Sequence, residues 1–377
     1  MTPEQLHVVL AEAALSTLRP AEDPAPTGTD ALPSDGSSPG NAPAPGAVPT
    51  GTVLRRGGDV AAGDWQSNLP LRLGTREPLS TAESIAEAVA SHPDIASVTV
   101  TGPGFLRIVL ETPALLGTVA QVAAGRHLGD PGSGATLASS DRLMEPASLG
   151  VLDADALRYG SARSRTATVL ARDVELLRTA APANPLHRVQ HAHATGRRLL
   201  RRAAAAGIRV AAGLAVDEAE HRTPDVTLAP ADRQLALRIT EAAGVLARAT
   251  GTATTASAAT GGHADTGSQP DGPQPTGRHA DTRSQSDSPQ PTGRYDGAGR
   301  HADTGRRPGE SLRSVTAVLE DLAAALTAWS AAERAIVPTL DADITAVHAA
   351  RCVLAAGATT VLATGLRLLG VTAPERI

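Results

Sequence analysis

Apolar positions recur at helical spacing over residues 1–18, MTPEQLHVVLAEAALSTL, with acidic residues between them, and predict an amphipathic helix. The pattern then vanishes. Residues 20–51 are dominated by Pro, Gly, Ser and Ala and hold too little apolar surface to offset chain entropy, so a disordered insert is expected there. Order returns with Thr81 to Ser91, where Ile85, Ala86 and Val89 share one helical face and Ser80 and Glu83 are spaced as a capping box. Ser97 to Val100 and Phe105 to Leu110 read as strands, joined by the turn Gly102-Pro103-Gly104. From Asp153 to about Arg248, and again from Ser311 to Leu369, stretches rich in Ala, Leu and Arg show helical periodicity, punctuated by Pro182, Pro185, Pro224 and Pro338.

The helical stretches are interrupted by a repeat: HADTGSQPDGPQPTGR from His263 to Arg278, HADTRSQSDSPQPTGR from His279 to Arg294, and a partial copy starting at His301. Neither full copy contains Leu, Ile, Val or Phe, so the repeat has no face with which to stack and reads as low-complexity linker. Metal binding by these scattered histidines lacks any companion ligand cluster. The expected fold class is therefore a small α+β N-terminal domain joined to an all-α helical bundle, with two disordered inserts at residues 20–51 and about 250–310.

Composition narrows the chemistry. Aromatics are 1% of 377 residues, namely Trp65, Phe105, Tyr159, Tyr295 and Trp329, so the core must be built from Ala, Leu, Val and Ile. Lysine is absent and all 34 basic residues are Arg, which excludes a Walker-type phosphate loop or a Schiff-base lysine in the usual form. The lone Cys352 has no intramolecular partner and reads as a small buried hydrophobe. With neither a basic leader nor a membrane span expected, the predicted location is cytoplasmic. A formal charge of -5 argues against nucleic-acid affinity by bulk attraction, so any RNA contact must use a local patch.

Five motifs carry a resemblance. Asp155-Ala156-Leu157-Arg158-Tyr159 is followed by Asn184-Pro185-Leu186-His187-Arg188-Val189-Gln190-His191-Ala192-His193-Ala194, and the sequence ends in GLRLLGVTAPERI. Upstream stand Gly63-Asp64-Trp65-Gln66-Ser67-Asn68 and Thr101-Gly102-Pro103-Gly104-Phe105-Leu106. In this order they resemble class I arginyl-tRNA synthetases: the first three match the DALR anticodon-binding region, the last two the N-terminal additional domain. The resemblance implies an additional domain at 1–112 and a DALR-type helical domain at 151–377. Residues 113–150 then form a linker where the family has its catalytic domain. That linker holds His127-Leu128-Gly129 and the Gly-rich GDPGSGA, read as a turn, with no HIGH-type or KMSKS-type motif. The resemblance thus implies a non-catalytic tRNA-binding protein, with tRNA, and tRNA-Arg in particular, as partner. Cofactors are expected to be none; ATP and arginine would enter only if the missing catalytic function were supplied. A protein-interaction module docking on a synthetase or another enzyme is the alternative, and arginine-tRNA ligase by family label alone is a third.

The expected tRNA contacts follow. Trp65, Gln66 and Asn68 place a ring and two amides within four residues, in a loop that the resemblance puts at the tRNA elbow; Trp65 as a core anchor is the competing reading. Arg188, Arg197, Arg198, Arg201, Arg202 and Arg209 form the densest basic stretch, with 197/201 and 198/202 on adjacent turns, against the plainer reading of a solvated helix face. Gln190 and His193 match the family's pattern, whereas His191 replaces a tyrosine and weakens the expected base stacking at the anticodon. His187 and His191 are metal-spaced but lack a third ligand. Arg367 and Arg376 are surface candidates; Tyr159 and Trp329 are assigned to packing.

Overall fold

The computed structural model describes residues 1–18, 54–58, 63–128, 151–164, 175–208, 226–260, 308–332, 336 and 343–377. Both expected inserts, apart from the helical residues 250–260 and 308–310, lie outside the described residues, as do Arg209 and the repeat histidines.

Alternating residues build the sheet. In β3 (Ile95–Thr101) and β4 (Phe105–Leu110), paired antiparallel, the turn between them uses Gly102 at φ 55° and Gly104 at φ 127°, which side chains rarely tolerate. A Cβ on Gly104 would also stand 3.1 Å from the Pro78 carbonyl oxygen. Two short strands complete the sheet in the order β1-β2-β4-β3: β1 (Leu54–Arg56) and β2 (Trp65–Ser67). Period-two alternation turns Trp65, Ser67, Leu106, Ile108 and Leu110 inward. GDWQSN is thus an interior strand and its entry, not the loop expected from sequence.

Helices cover the inner face. α1 (Pro3–Leu18) packs against α3 (Pro78–Ala90), which follows the single-turn α2 (Leu69–Arg72). Ile85, Ala86 and Val89 are buried as their spacing predicts. The helix starts at Pro78, however, whose fixed φ suits the first helical position. Ser80 and Glu83 therefore sit inside it, and its N-cap Glu77 makes no side-chain cap bond.

The segment read as a linker opens with a core helix, α4 (Thr112–Ala123), burying Leu115, Leu116, Val119 and Val122; 129–150 lie outside the described residues. The helical part comprises α5 (Val151–Arg163), α6 (Pro185–Ala205), α7 (Pro230–Thr260), α8 (Pro308–Ala331) and α9 (Ala346–Leu368). Helix α9 is long and apolar enough to cross a membrane by length and composition, yet α4, α6, α7 and α8 all pack around it. Sheet and bundle share one continuous core, with Cys352 buried inside it.

The seam between sheet and bundle carries a buried ion pair. Arg233, at the start of α7, donates from Nε to Asp64 Oδ1 at 2.7 Å and from Nη2 to Asp64 Oδ2 at 2.5 Å. Its remaining donors reach Leu110 O at 2.5 Å and Thr112 Oγ1 at 3.2 Å, while Leu110 N donates to Asp64 Oδ2 at 2.7 Å. Side-chain exposures of 16% for Arg233 and 5% for Asp64 mean that losing one partner strands the other charge away from water. Arg56 adds two outer ties across the same seam, to Glu241 at 2.6 Å and Asp321 at 3.0 Å.

Residues 370–375 dock across α5 and α6. Arg158 donates to Gly370 O at 3.0 Å and Asp155 accepts from Thr372 N at 3.0 Å. Gln190 donates to Thr372 O at 3.0 Å, and His193 Nδ1 donates to Pro374 O at 2.8 Å. Burial pushes the His193 imidazole below its ordinary value, the Arg197 charge adds to this, and the bond to Pro374 and the Glu375 charge oppose it without winning.

Two measurements test these contacts. Arg233→Ala is expected to cost about 3–5 kcal/mol of folding stability, the cost of breaking a buried pair, read by urea unfolding. The second concerns pH: a lowered folded-state value means that the unfolded chain takes up a proton the folded ring resists. Stability present above the ordinary 6.5 is therefore lost as pH falls below it toward the folded-state value. Because His7 and His127 are lowered by burial as well, the readout is a difference: between pH 7.5 and 5.5 the wild type should lose more stability than His193→Gln.

Candidate nucleic-acid interface

Helix α6 begins at Asn184, whose side chain accepts from His187 N, and Pro185 occupies its first turn. Val189, Ala192 and Ala203 face the core, which leaves the charged positions outside. The structure assigns most of them intramolecular partners. Arg188 lies 3.7 Å from Glu320, which also accepts from Tyr159 at 3.1 Å and Arg163 at 3.0 Å. Tyr159 is fully buried, and burial together with Glu320 pushes its phenol well above the ordinary range, so it stays protonated and donates. The DALRY segment thus packs the core through Tyr159 and holds residues 370–372 through Asp155 and Arg158.

Gln190 and His193 are taken up by that same segment, and Arg197 and Arg201 by Glu375. Arg197 makes a two-point contact, Nε to Oε2 at 3.1 Å and Nη2 to Oε1 at 2.9 Å; Arg201 Nη1 lies 3.5 Å from Oε2. The Arg197 hydrogen bond is the main reason the Glu375 carboxyl sits below its ordinary value. His191, Arg198 and Arg202 are exposed, and His191, Thr195, Arg198, Arg201 and Arg376 line a groove between α6 and the segment 375–377. The His187 and His191 rings are 6.0 Å apart and tilted, and among the described residues no three His, Cys, Asp or Glu side chains group as a metal site.

On the sheet, Trp65 is 2% exposed and packed inward, which removes its ring from any stacking surface. This corrects the expectation for Trp65 and supports the core-anchor reading. Gln66 projects from the opposite face, between Arg55 on β1 and Arg107 on β4, with Thr99 completing the cross-strand row. Asn68 sits at the N-terminal end of α2 and makes no side-chain cap bond there. The same outer face carries Phe105, 42% exposed and opposite Thr101. Phe105, Arg107 and Arg55 were missed in sequence. The signal was present: alternation over Phe105–Leu110 sends Phe105 and Arg107 to one side and Leu106, Ile108 and Leu110 to the other.

The comparisons with known proteins converge on the sheet domain. Residues 47–110 match the family model described as Arginyl tRNA synthetase N terminal domain. The chain is 36% identical over 81 residues to the arginine--tRNA ligase of Bifidobacterium longum strain DJO10A, covering 21% of this chain and 13% of that protein. It is 36% identical over 89 residues to the arginine--tRNA ligase of Micrococcus luteus, covering 22% of this chain and 16% of that protein. The matched part is thus a small fraction of those relatives' length. No solved structure matches. Through its N-terminal segment, the chain is related to arginyl-tRNA synthetases.

Proposed function

We propose that the protein is a cytoplasmic, non-catalytic tRNA-binding relative of arginyl-tRNA synthetases, with residues 151–377 acting as a DALR-type anticodon-binding bundle. The observation that carries this reading is the outer face of the matched sheet domain. There, exposed Phe105 lies on the same face as the row Arg55, Gln66 and Arg107. A ring stacks on an unpaired base, an amide reads its edge and guanidinium groups meet phosphate, the combination that single-stranded RNA loops require. Arg198 and Arg202, one helical turn apart and exposed on α6, supply the second contact region. The tRNA is tRNA-Arg or one shaped like it.

A protein-docking role is favoured by a different observation: carboxylates of the same chain already contact Arg188, Arg197 and Arg201. In that reading, α6 is a structural helix and the partner is a synthetase or another enzyme.

The deciding measurement is binding to a panel of tRNAs across a salt series. Selective binding that weakens as salt rises is expected. Phe105→Ala should weaken it roughly 5- to 150-fold, the range for one stacked base worth about 1–3 kcal/mol. Arg198→Ala/Arg202→Ala should flatten the salt dependence. Equal affinity of the wild type and Phe105→Ala for every tRNA would remove RNA recognition by this face and turn attention to protein partners.

A further inference from the structure

Arg197 and Arg201 lie one turn apart on α6, so their guanidinium groups converge on one point outside the helix. That point is occupied by the Glu375 carboxylate, gripped side-on by Arg197 and touched by Arg201 Nη1, while Arg201 Nη2 lies 3.5 Å from the Glu375 carbonyl oxygen. The backbone just before Glu375 is fixed independently of these charges, by Asp155, Arg158, Gln190 and His193. Glu375 is therefore delivered to the arginines by its neighbours' bonds. The charged contact itself is open to water: side-chain exposures are 42% for Arg197, 45% for Arg201 and 61% for Glu375. An exposed pair of this kind is held weakly and exchanges readily for another anion. Beside it, the groove offers His191, Thr195, Arg198 and Arg376.

We infer that Arg197 and Arg201 form a two-guanidinium phosphate site whose ligand is a phosphodiester of a polynucleotide backbone, and that Glu375 occupies it as an internal stand-in. The inference rests on the RNA-binding reading and deepens it. A phosphodiester carries the same single charge as a carboxylate, on two non-bridging oxygens set wider apart about a tetrahedral phosphorus, and so can bridge both forks. Arg198 and Arg202, on the adjacent helical row, meet the neighbouring phosphates. The side chain of Glu375 swings away while residues 370–374 stay docked, so filling the site does not require the segment to unfold.

The test compares wild type with Glu375→Gln, which keeps the shape and removes the charge, using two probes: tRNA and inorganic tripolyphosphate. Urea unfolding of both proteins confirms that the variant is folded. Glu375→Gln should bind each probe about tenfold more tightly at low salt, with a steeper salt dependence for tRNA because more counterions are released. Adding Arg197→Ala/Arg201→Ala should abolish the gain. A gain for tripolyphosphate without tRNA binding by either protein leaves the anion site standing and overturns its polynucleotide ligand together with the RNA-binding reading. If wild type binds tRNA and Glu375→Gln binds it equally well, the stand-in role is overturned while RNA binding survives. No gain with either probe overturns the site.

Discussion

Close approach of helices to α9 is the constraint on which the rest of the architecture depends. A chain with 1% aromatic residues cannot fill a wide core with large rings, so backbones must come together instead. The middle of α9 is an unbroken buried run from Cys352 to Thr359 made chiefly of Ala, Gly and Thr. At Gly357 a Cβ would stand 2.8 Å from Val119 Cγ1, so α4 lies against the α9 backbone. Gly196 of α6 meets the Thr359 side chain more tightly still. Dispersion contacts at such crossings substitute for the ring packing that the composition withholds.

That packing fixes the sheet as well. β4 ends at Leu110 and α4 begins at Thr112, so a single residue separates the strand bearing Phe105 and Arg107 from the helix wedged against α9. The Asp64–Arg233 pair closes the same corner from the other side, tying β4 to α7 through Leu110. The outer sheet face and the exposed side of α6 are thereby presented by one core. An RNA that touches both must match a preset separation, which makes shape a source of selectivity in addition to base contacts.

The parts legible in sequence are those where one periodicity acts alone. The Ile85, Ala86 and Val89 stripe and the β3–β4 hairpin with its glycine turn follow from local pattern. β1 and β2, at three residues each, are too short for alternation to register, so the sequence gives no sign that strand pairing buries Trp65. Helix α4 stays hidden in the expected linker because the resemblance puts the family's catalytic domain in that interval. The partners of the α6 arginines are hidden in sequence for another reason. Sequence shows a charge but not its partner, and Glu375 lies 178 residues from Arg197. Only the docking of residues 370–375 brings them together.

The same pairing resolves the conflict between a formal charge of -5 and a proposed anionic partner. Carboxylates along the seam and α6, including Asp64, Asp232, Glu241, Glu320 and Asp321, each face an arginine at short range. Fields of such pairs largely cancel a few ångströms away, and screening at physiological salt removes most of what persists beyond about 8 Å. A ligand approaching the sheet therefore senses the adjacent row, not the total. Register puts Arg55, Gln66, Arg107 and Thr99 side by side in that row. Local register, and not the formal total, therefore governs which charges a ligand meets at this face.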